Sequence, residues 1–164
     1  MGPAVSQLKR RFRPKKLLLL GKEGVGKTTL LSAFRMGHPV LVEKTNSFEC
    51  HALPGWTAMD LGGNERNRQL WHYFYPNTDA ILWVMSSQGD PDDLNDLYDI
   101  LEKNRVLDDV PLIVVLNQFK ERMDTQEVIA RLRNRPTRVL SMDVRRDFQR
   151  IQQYLDWAKK ESKA

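Results

Sequence analysis

Residues 17–29 read Leu17-Leu18-Leu19-Leu20-Gly21-Lys22-Glu23-Gly24-Val25-Gly26-Lys27-Thr28-Thr29: a strand-like apolar run into G-x-x-x-x-G-K-T. A helical pattern through Leu30, Leu31 and Phe34 comes next. That order has a physical use. The strand delivers the chain to a loop in which Gly21, Gly24 and Gly26 let the backbone bend. The amides of Glu23, Val25 and their neighbours then point inward and wrap a di- or triphosphate, helped by the positive end of the next helix. Lys27 supplies a point charge to the outer phosphates, and Thr28 offers a hydroxyl to Mg²⁺. A chance glycine-rich turn would carry neither the leucine strand nor the apolar helix.

The rest of the chain suits one nucleotide-sized domain. Its 164 residues can bury a core without staples, and the single cysteine, Cys50, excludes an internal disulfide. No apolar stretch reaches the length of a membrane span or reads as a secretory leader, so the sequence fits a cytoplasmic protein. The net charge of +5 is uneven. Lys9, Arg10, Arg11, Arg13 and Lys15 crowd an N-terminal arm (residues 1–15), with Lys16 directly after it at the start of a near-neutral body (16–164). A basic arm on a neutral body suggests a tether to an anionic membrane surface through residues 1–16, and not nucleic acid. Met1-Gly2-Pro3-Ala4-Val5-Ser6 matches the pattern for N-myristoylation, although Pro3 beside the acylated glycine weakens it. Val5, Leu8 and Phe12 form a short apolar stripe among the bases; a plain basic tail is the alternative.

Short apolar runs alternate with amphipathic ones. Strands are predicted at 16–20, 48–52, 56–60, 79–86, 110–116 and 138–142, and helices at 27–36, 92–103, 125–132 and 144–159. Pro54-Gly55 turns the second strand into the third. This alternation argues for an α/β fold with a mostly parallel six-stranded sheet and helices on both faces. The site then falls at the carboxyl ends of the strands. Four residues stand where such a site needs them. Thr45, in the loop after the first helix, can close its hydroxyl onto Mg²⁺. Asp60 ends a strand in D-x-G-G and suits the metal, directly or through water. Gly63 leaves its backbone N–H open to a γ-phosphate, and Asn117 comes after a buried strand, where its amide can pin the base-binding loop.

Together these stretches resemble the ADP-ribosylation factor (Arf) and Arf-like branch of the Ras-superfamily small GTPases. GKEGVGKTT matches that branch's phosphate loop, Thr45-x-x-Phe48 its switch I motif, and Asp60-Leu61-Gly62-Gly63 its D-x-G-G. Leu70-Trp71-His72-Tyr73-Phe74, with Asn77-Thr78, resembles its switch II helix and the segment after it. The resemblance implies the P-loop NTPase small-GTPase fold, a purine nucleotide (GTP or GDP) and Mg²⁺. It assigns the β- and γ-phosphates to Lys27 and the amides from Gly24 to Thr29, and the metal to Thr28, Thr45 and Asp60. Gly63 would sense the γ-phosphate, and Ser141 and Met142 would lie in the loop touching the base. Phe48, Met59 and Trp71 fall where the branch presents an apolar triad to effector proteins.

Three departures qualify the resemblance. Asn64 stands after D-L-G-G where the branch carries the glutamine that orients the attacking water. Its amide sits on a chain one methylene shorter, so slow hydrolysis is expected. The guanine-reading N-K-x-D stands here as Asn117-Gln118-Phe119-Lys120. The branch's aspartate accepts from guanine, whereas Lys120 only donates, so guanine preference should be lost unless Glu121 swings in. Finally, the Phe48–Asp60 hairpin is shorter than the sliding hairpin of Arf proteins. The sequence thus predicts an Arf-like switch or adaptor in membrane traffic. A pseudo-GTPase interaction module and a P-loop small-molecule kinase are the rivals.

Overall fold

The computed structural model describes residues 13–38, 48–86, 92–117, 125–132 and 135–162, save the side chains of residues 125 and 127. Six strands form one sheet: β1 (Lys15–Leu20), β2 (Phe48–Leu53), β3 (Trp56–Leu61), β4 (Ala80–Ser86), β5 (Leu112–Asn117) and β6 (Thr137–Met142). Their order across the sheet is β2-β3-β1-β4-β5-β6, antiparallel between β2 and β3 and parallel elsewhere. The helices are α1 (Lys27–Met36), α2 (Glu65–Arg68), α3 (Asp93–Lys103), α4 (Thr125–Arg131) and α5 (Ile151–Glu161). Short 3₁₀ turns at Trp71–Phe74, Arg105–Leu107 and Phe148–Arg150 complete the described elements.

β1 shows why the sheet is sandwiched. Successive side chains on a strand point to opposite faces, so a run of four leucines serves two cores. Leu17 and Leu19 pack with Leu30, Leu31, Phe148, Ile151 and Leu155 under α1 and α5. Leu18 and Leu20 pack with Trp71, Trp83, Leu97 and Leu101 under α3 and the 71–74 turn. Each buried leucine stabilises the fold by roughly 2 kcal/mol. β1 therefore holds both layers against the phosphate loop at its end.

Two elements start two or more residues later than the sequence reading, and each has a local cause. The last helix begins at Ile151 and not at 144. Asp143 and Asp147 close a turn first: Arg145 N–H donates to Asp143 Oδ1 at 2.9 Å, and Asp143 N–H donates to Asp147 Oδ2 at 3.1 Å. Such aspartates offer the backbone an alternative to the helical ladder. β5 begins at Leu112, because Pro111 has no N–H to give; its carbonyl still accepts from Ile81 N–H at 2.9 Å.

The hairpin is short and fully paired. Six residue pairs run from Phe48↔Leu61 to Leu53↔Trp56, and only Pro54-Gly55 joins the strands. Proline before a glycine at φ 80° is the pattern of a type II turn. The turn is tied to the sheet, since Lys15 N–H donates to Gly55 O at 3.1 Å.

The last two bases of the N-terminal run, Lys15 and Lys16, belong to the body. Lys16 lies in β1; its backbone N–H donates to Asp79 Oδ2 at 2.7 Å, and its Nζ donates to the carbonyls of Phe74 and Pro76. Burial lowers its pKa, with Asp79 opposing the shift. Lys16 is thus held by the domain body, and the free arm of the expected tether ends before it. Residues 1–12, including Gly2, lie outside the described residues. Among the described residues no helix is long and apolar enough to cross a membrane.

Candidate functional site

The sheet's carboxyl edge gathers the ends of β1, β3, β4, β5 and β6 around the loop from Gly21 to Gly26. Gly26 and Gly63 are among the glycines that space fixes there. Gly26 caps α1 at φ 106°, and a Cβ on it would meet Asn117 Nδ2 at 2.6 Å. A Cβ on Gly63 would run into the backbone of Gly21, Lys22 and Glu23. The D-x-G-G loop therefore lies directly on the phosphate loop, and Glu23 N–H donates to Gly63 O at 3.2 Å.

Lys27 is the first residue of α1 and only 6% exposed. Its Nζ donates to Gly21 O at 2.9 Å and Lys22 O at 3.2 Å. Burial lowers its pKa to about 8, partly offset by Asp60 and Glu23. A buried ammonium with neutral carbonyl acceptors is costly unless a further negative charge comes near it. That cost fits a site for anionic phosphate.

Thr28 and Asp60 meet beside it. Thr28 Oγ1 donates to Asp60 Oδ2 at 2.7 Å, and Asp60 is fully buried at the end of β3. A hydroxyl and a carboxylate, both hard oxygen donors, suit Mg²⁺. Glu49 and His51 come close enough to Asp60 for the three ligand atoms to lie within 4.8 Å of one another. This cluster is built differently. Arg35 Nη1 stands 2.9 Å from His51 Nδ1, and a guanidinium only donates, so Nδ1 accepts. Nε2 then carries the proton toward Glu49 Oε2 at 3.1 Å. A ligating histidine normally turns its second nitrogen to an acceptor, so His51 serves a hydrogen-bond chain from Arg35 to Glu49 and not a metal.

Asn117 is the staple of the site. It is 7% exposed; its Nδ2 donates to Val25 O at 3.0 Å and its Oδ1 accepts from Val144 N–H at 3.1 Å. One side chain thus joins the phosphate loop to the loop after β6. Ser141 and Met142 are the last residues of β6, and Met142 turns its side chain into the core. Ser141 is exposed, and its carbonyl accepts from Arg150 Nη1 at 3.0 Å.

Two predicted residues sit differently from expectation. Asn64 caps α2, its Oδ1 accepting from Asn67 N–H at 2.8 Å. The amide oxygen read as a water-orienting group is therefore engaged in holding a helix end. Trp71 is 2% exposed, with its Nε1 donating to Gly62 O at 3.0 Å and its ring edge-on to Trp83 at 6.2 Å. It is core and not an effector contact, because its indole has a buried acceptor to meet. Phe48 and Met59 remain half-buried, Phe48 packed against Phe74 with ring centroids 4.6 Å apart and planes tilted by 53°. Thr45, Gln118, Lys120 and Glu121 lie outside the described residues.

One ion-pair chain has no signal in the sequence. Lys22 Nζ, from the variable part of the phosphate loop, reaches Asp93 Oδ1 at 2.8 Å and Asp96 Oδ2 at 3.3 Å. Asp96 also faces Arg68 Nη1 of α2 at 3.6 Å. Both carboxylates lie in the first turn of α3, where the helix dipole favours them. The phosphate loop, α3 and α2 are thereby linked by charge.

A six-stranded, mostly parallel sheet with this loop at its carboxyl edge defines the P-loop small-GTPase fold. The Arl6 (BBS3) small GTPase of Trypanosoma brucei, solved with the nucleotide analogue GppNp, superposes with a TM-score of 0.71. The match covers 90% of this chain and 99% of that one at 18% identity, a likeness of fold. Residues 1–160 match the ADP-ribosylation factor family, and the chain belongs to that family. Proteins of this family in general bind GTP or GDP with Mg²⁺. ADP-ribosylation factor K of Dictyostelium discoideum is 29% identical over 122 residues, or 70% of this chain. The chain spans 65% of that relative's length.

Proposed function

We propose that the chain is an Arf-like GTP-binding protein acting as a switch or adaptor at the cytosolic face of membranes in traffic, with slow hydrolysis and relaxed choice of purine. The observation that carries the reading is Lys27: a buried lysine facing loop carbonyls, beside the paired Thr28 hydroxyl and Asp60 carboxylate. The amides from Gly24 to Thr29 bind the β- and γ-phosphates, and Lys27 neutralises the outer charge. Thr28 and Asp60, with Thr45, hold Mg²⁺, which supplies further neutralisation of the phosphates. Gly63 brings its backbone to the γ-phosphate. Its place against the phosphate loop supports this role.

Asn64 supports slow turnover. An attacking water needs an orienting acceptor, and this oxygen already accepts the Asn67 N–H. The same observation favours the second reading, a pseudo-GTPase that keeps bound nucleotide without cycling. Effectors would meet Phe48 and Met59, and the basic residues from Lys9 to Arg13 would meet anionic lipid. The test is to identify the nucleotide released when protein purified from cells is denatured, and then to follow single-turnover hydrolysis. Released GTP or GDP with slow hydrolysis supports the switch. Bound nucleotide with no hydrolysis and no exchange supports the second reading, and no nucleotide at all contradicts both.

A further inference from the structure

Between α3 and the segment running from α2 through the 71–74 turn lies a cavity of about 280 Å³. None of the residues assigned to phosphate or metal lines it. Its buried floor is aromatic: Trp71, Tyr75 and Trp83, closed on the helix side by Ile100. That volume stands near the lower end for small-molecule clefts and takes a molecule of one or two rings.

Two features of the wall specify the chemistry. The first is charge. Arg68 and Lys103 are balanced by Asp96 and Asp99, so the lining favours neither an anion nor a cation. The second is an excess of donors. Trp83 Nε1 and Arg68 Nε are both buried, both belong to residues of this wall, and neither has an acceptor among the described residues. Buried donors are nearly always met, so two unmet ones around a single cavity ask for an explanation. An occupant that brings acceptors supplies it. Trp71 also connects this wall to the D-x-G-G loop, because its indole N–H holds the Gly62 carbonyl.

We propose that this cavity binds a neutral, flat heteroaromatic small molecule carrying hydrogen-bond acceptors, and that its occupancy is felt at Gly62. The ligand's rings stack on the aromatic floor, and its acceptors meet the Trp83 and Arg68 donors. The site is separate from the nucleotide residues, so the proposal stands or falls independently of the reading above.

The test is an NMR titration of the full chain, tracking indole and backbone N–H signals, with quinoxaline as probe. Quinoxaline is uncharged and has two bare ring nitrogens. Indole, of similar size but with a donor in place of acceptors, and naphthalene-2-carboxylate, which is charged, serve as controls. Saturable shifts of the Trp83 indole and Gly62 amide signals are expected with one midpoint, and both controls should bind roughly tenfold more weakly. Ile100→Trp, which fills the cavity, should abolish the shifts. Asp99→Trp, at the exposed rim where folding is not at stake, should weaken them if the interior variant does not fold. Absence of saturable shifts overturns the site. So does undiminished binding to either variant, which would place the probe elsewhere. Equal or tighter binding of a control overturns the assigned ligand chemistry, and a silent Gly62 overturns the link to the D-x-G-G loop.

Discussion

The two halves of the nucleotide site obey different rules. On the phosphate side, Lys27, Thr28, Asp60 and Asn117 are buried or half-buried and hydrogen-bonded to one another's loops. On the hydrolysis and base side, Asn64 spends its oxygen on a helix end. Gln118 and Lys120 there replace the lysine and aspartate of the guanine-reading pattern. On the proposed function, holding a triphosphate is thus separable from reading or cleaving a nucleotide. Phosphate binding would rest on backbone amides and one cation fixed by the fold, whereas base choice and water positioning would rest on single side chains that can change without disturbing it.

The largest effect should come from the side that is kept. Lys27→Ala should weaken Mg²⁺-nucleotide binding by at least about a hundredfold, because the loop amides alone cannot neutralise the outer phosphates. Thermal melts should show the domain still folded, since the substitution also removes a buried charge that cost stability. Affinity unchanged by it would erase the contrast at its stronger end.

On the other side, Gln118→Lys with Lys120→Asp should create a preference for GTP over ATP of roughly tenfold or more, where the natural chain is expected to show little. A carboxylate accepts from the guanine N1–H and amine, and an ammonium cannot. Equilibrium binding of both nucleotides to both proteins reads this directly.

The pH dependence separates the halves again. In the unliganded protein Lys27 titrates at about 8, below its ordinary 10.5, because burial disfavours the charge. Bound phosphate favours the charge, so affinity should be level in this respect below about pH 8. Above that it should fall by up to roughly tenfold per unit. For folding alone the sign is opposite: between about 8 and 10.5 the unfolded chain holds more protons on Lys27, so stability rises with pH there. An affinity that stays flat from pH 7 to 9.5 would show that Lys27 does not carry the phosphate.

A smaller effect is expected at Asn64. Asn64→Gln should cost about 1 kcal/mol through loss of the cap on α2, measured by denaturant unfolding. It should also raise single-turnover hydrolysis, by freeing a longer amide for the water. A variant as stable as the natural chain and no faster would mean that Asn64 neither caps in solution nor limits turnover.

The smallest effect concerns nucleotide control of the arm. The basic residues from Lys9 to Arg13 should bind anionic liposomes at low salt, each contributing on the order of 1 kcal/mol. The bound nucleotide should change this little. Register can slip only in steps of two residues if faces are to be kept, and a six-pair hairpin with its turn tied to Lys15 has little to exchange. Co-sedimentation seen only in the triphosphate state would show that the hairpin does slide.

What could be read beforehand depended on whether the determinant was local. The phosphate loop, the six strands and the Pro54-Gly55 turn were legible, because glycine spacing and apolar runs set them within a few residues. The positions of Asp60 and Asn117 at the carboxyl ends of strands, and of Gly63 just beyond one, were legible from the apolar runs that precede them. Trp71 was not legible as core, since only the fold brings the Gly62 carbonyl and the Trp83 ring to it. The cap at Asn64 was hidden by a helix of four residues, too short to show periodicity. The start of α5 was lost to Asp143 and Asp147, whose carboxylates stop a pattern that otherwise reads as helical. Nor does any spacing rule connect Lys22 to Asp93, which meet only through tertiary packing.

On this reading the phosphates, and not the base, carry the binding. Competition of GTP, ATP and inorganic tripolyphosphate for the Mg²⁺-loaded natural chain, with Lys27→Ala alongside, decides it. GTP and ATP should bind within roughly tenfold of one another, tripolyphosphate should displace both, and Lys27→Ala should abolish all three. GTP binding about a hundredfold or more tighter than ATP, with tripolyphosphate unable to compete, would contradict it.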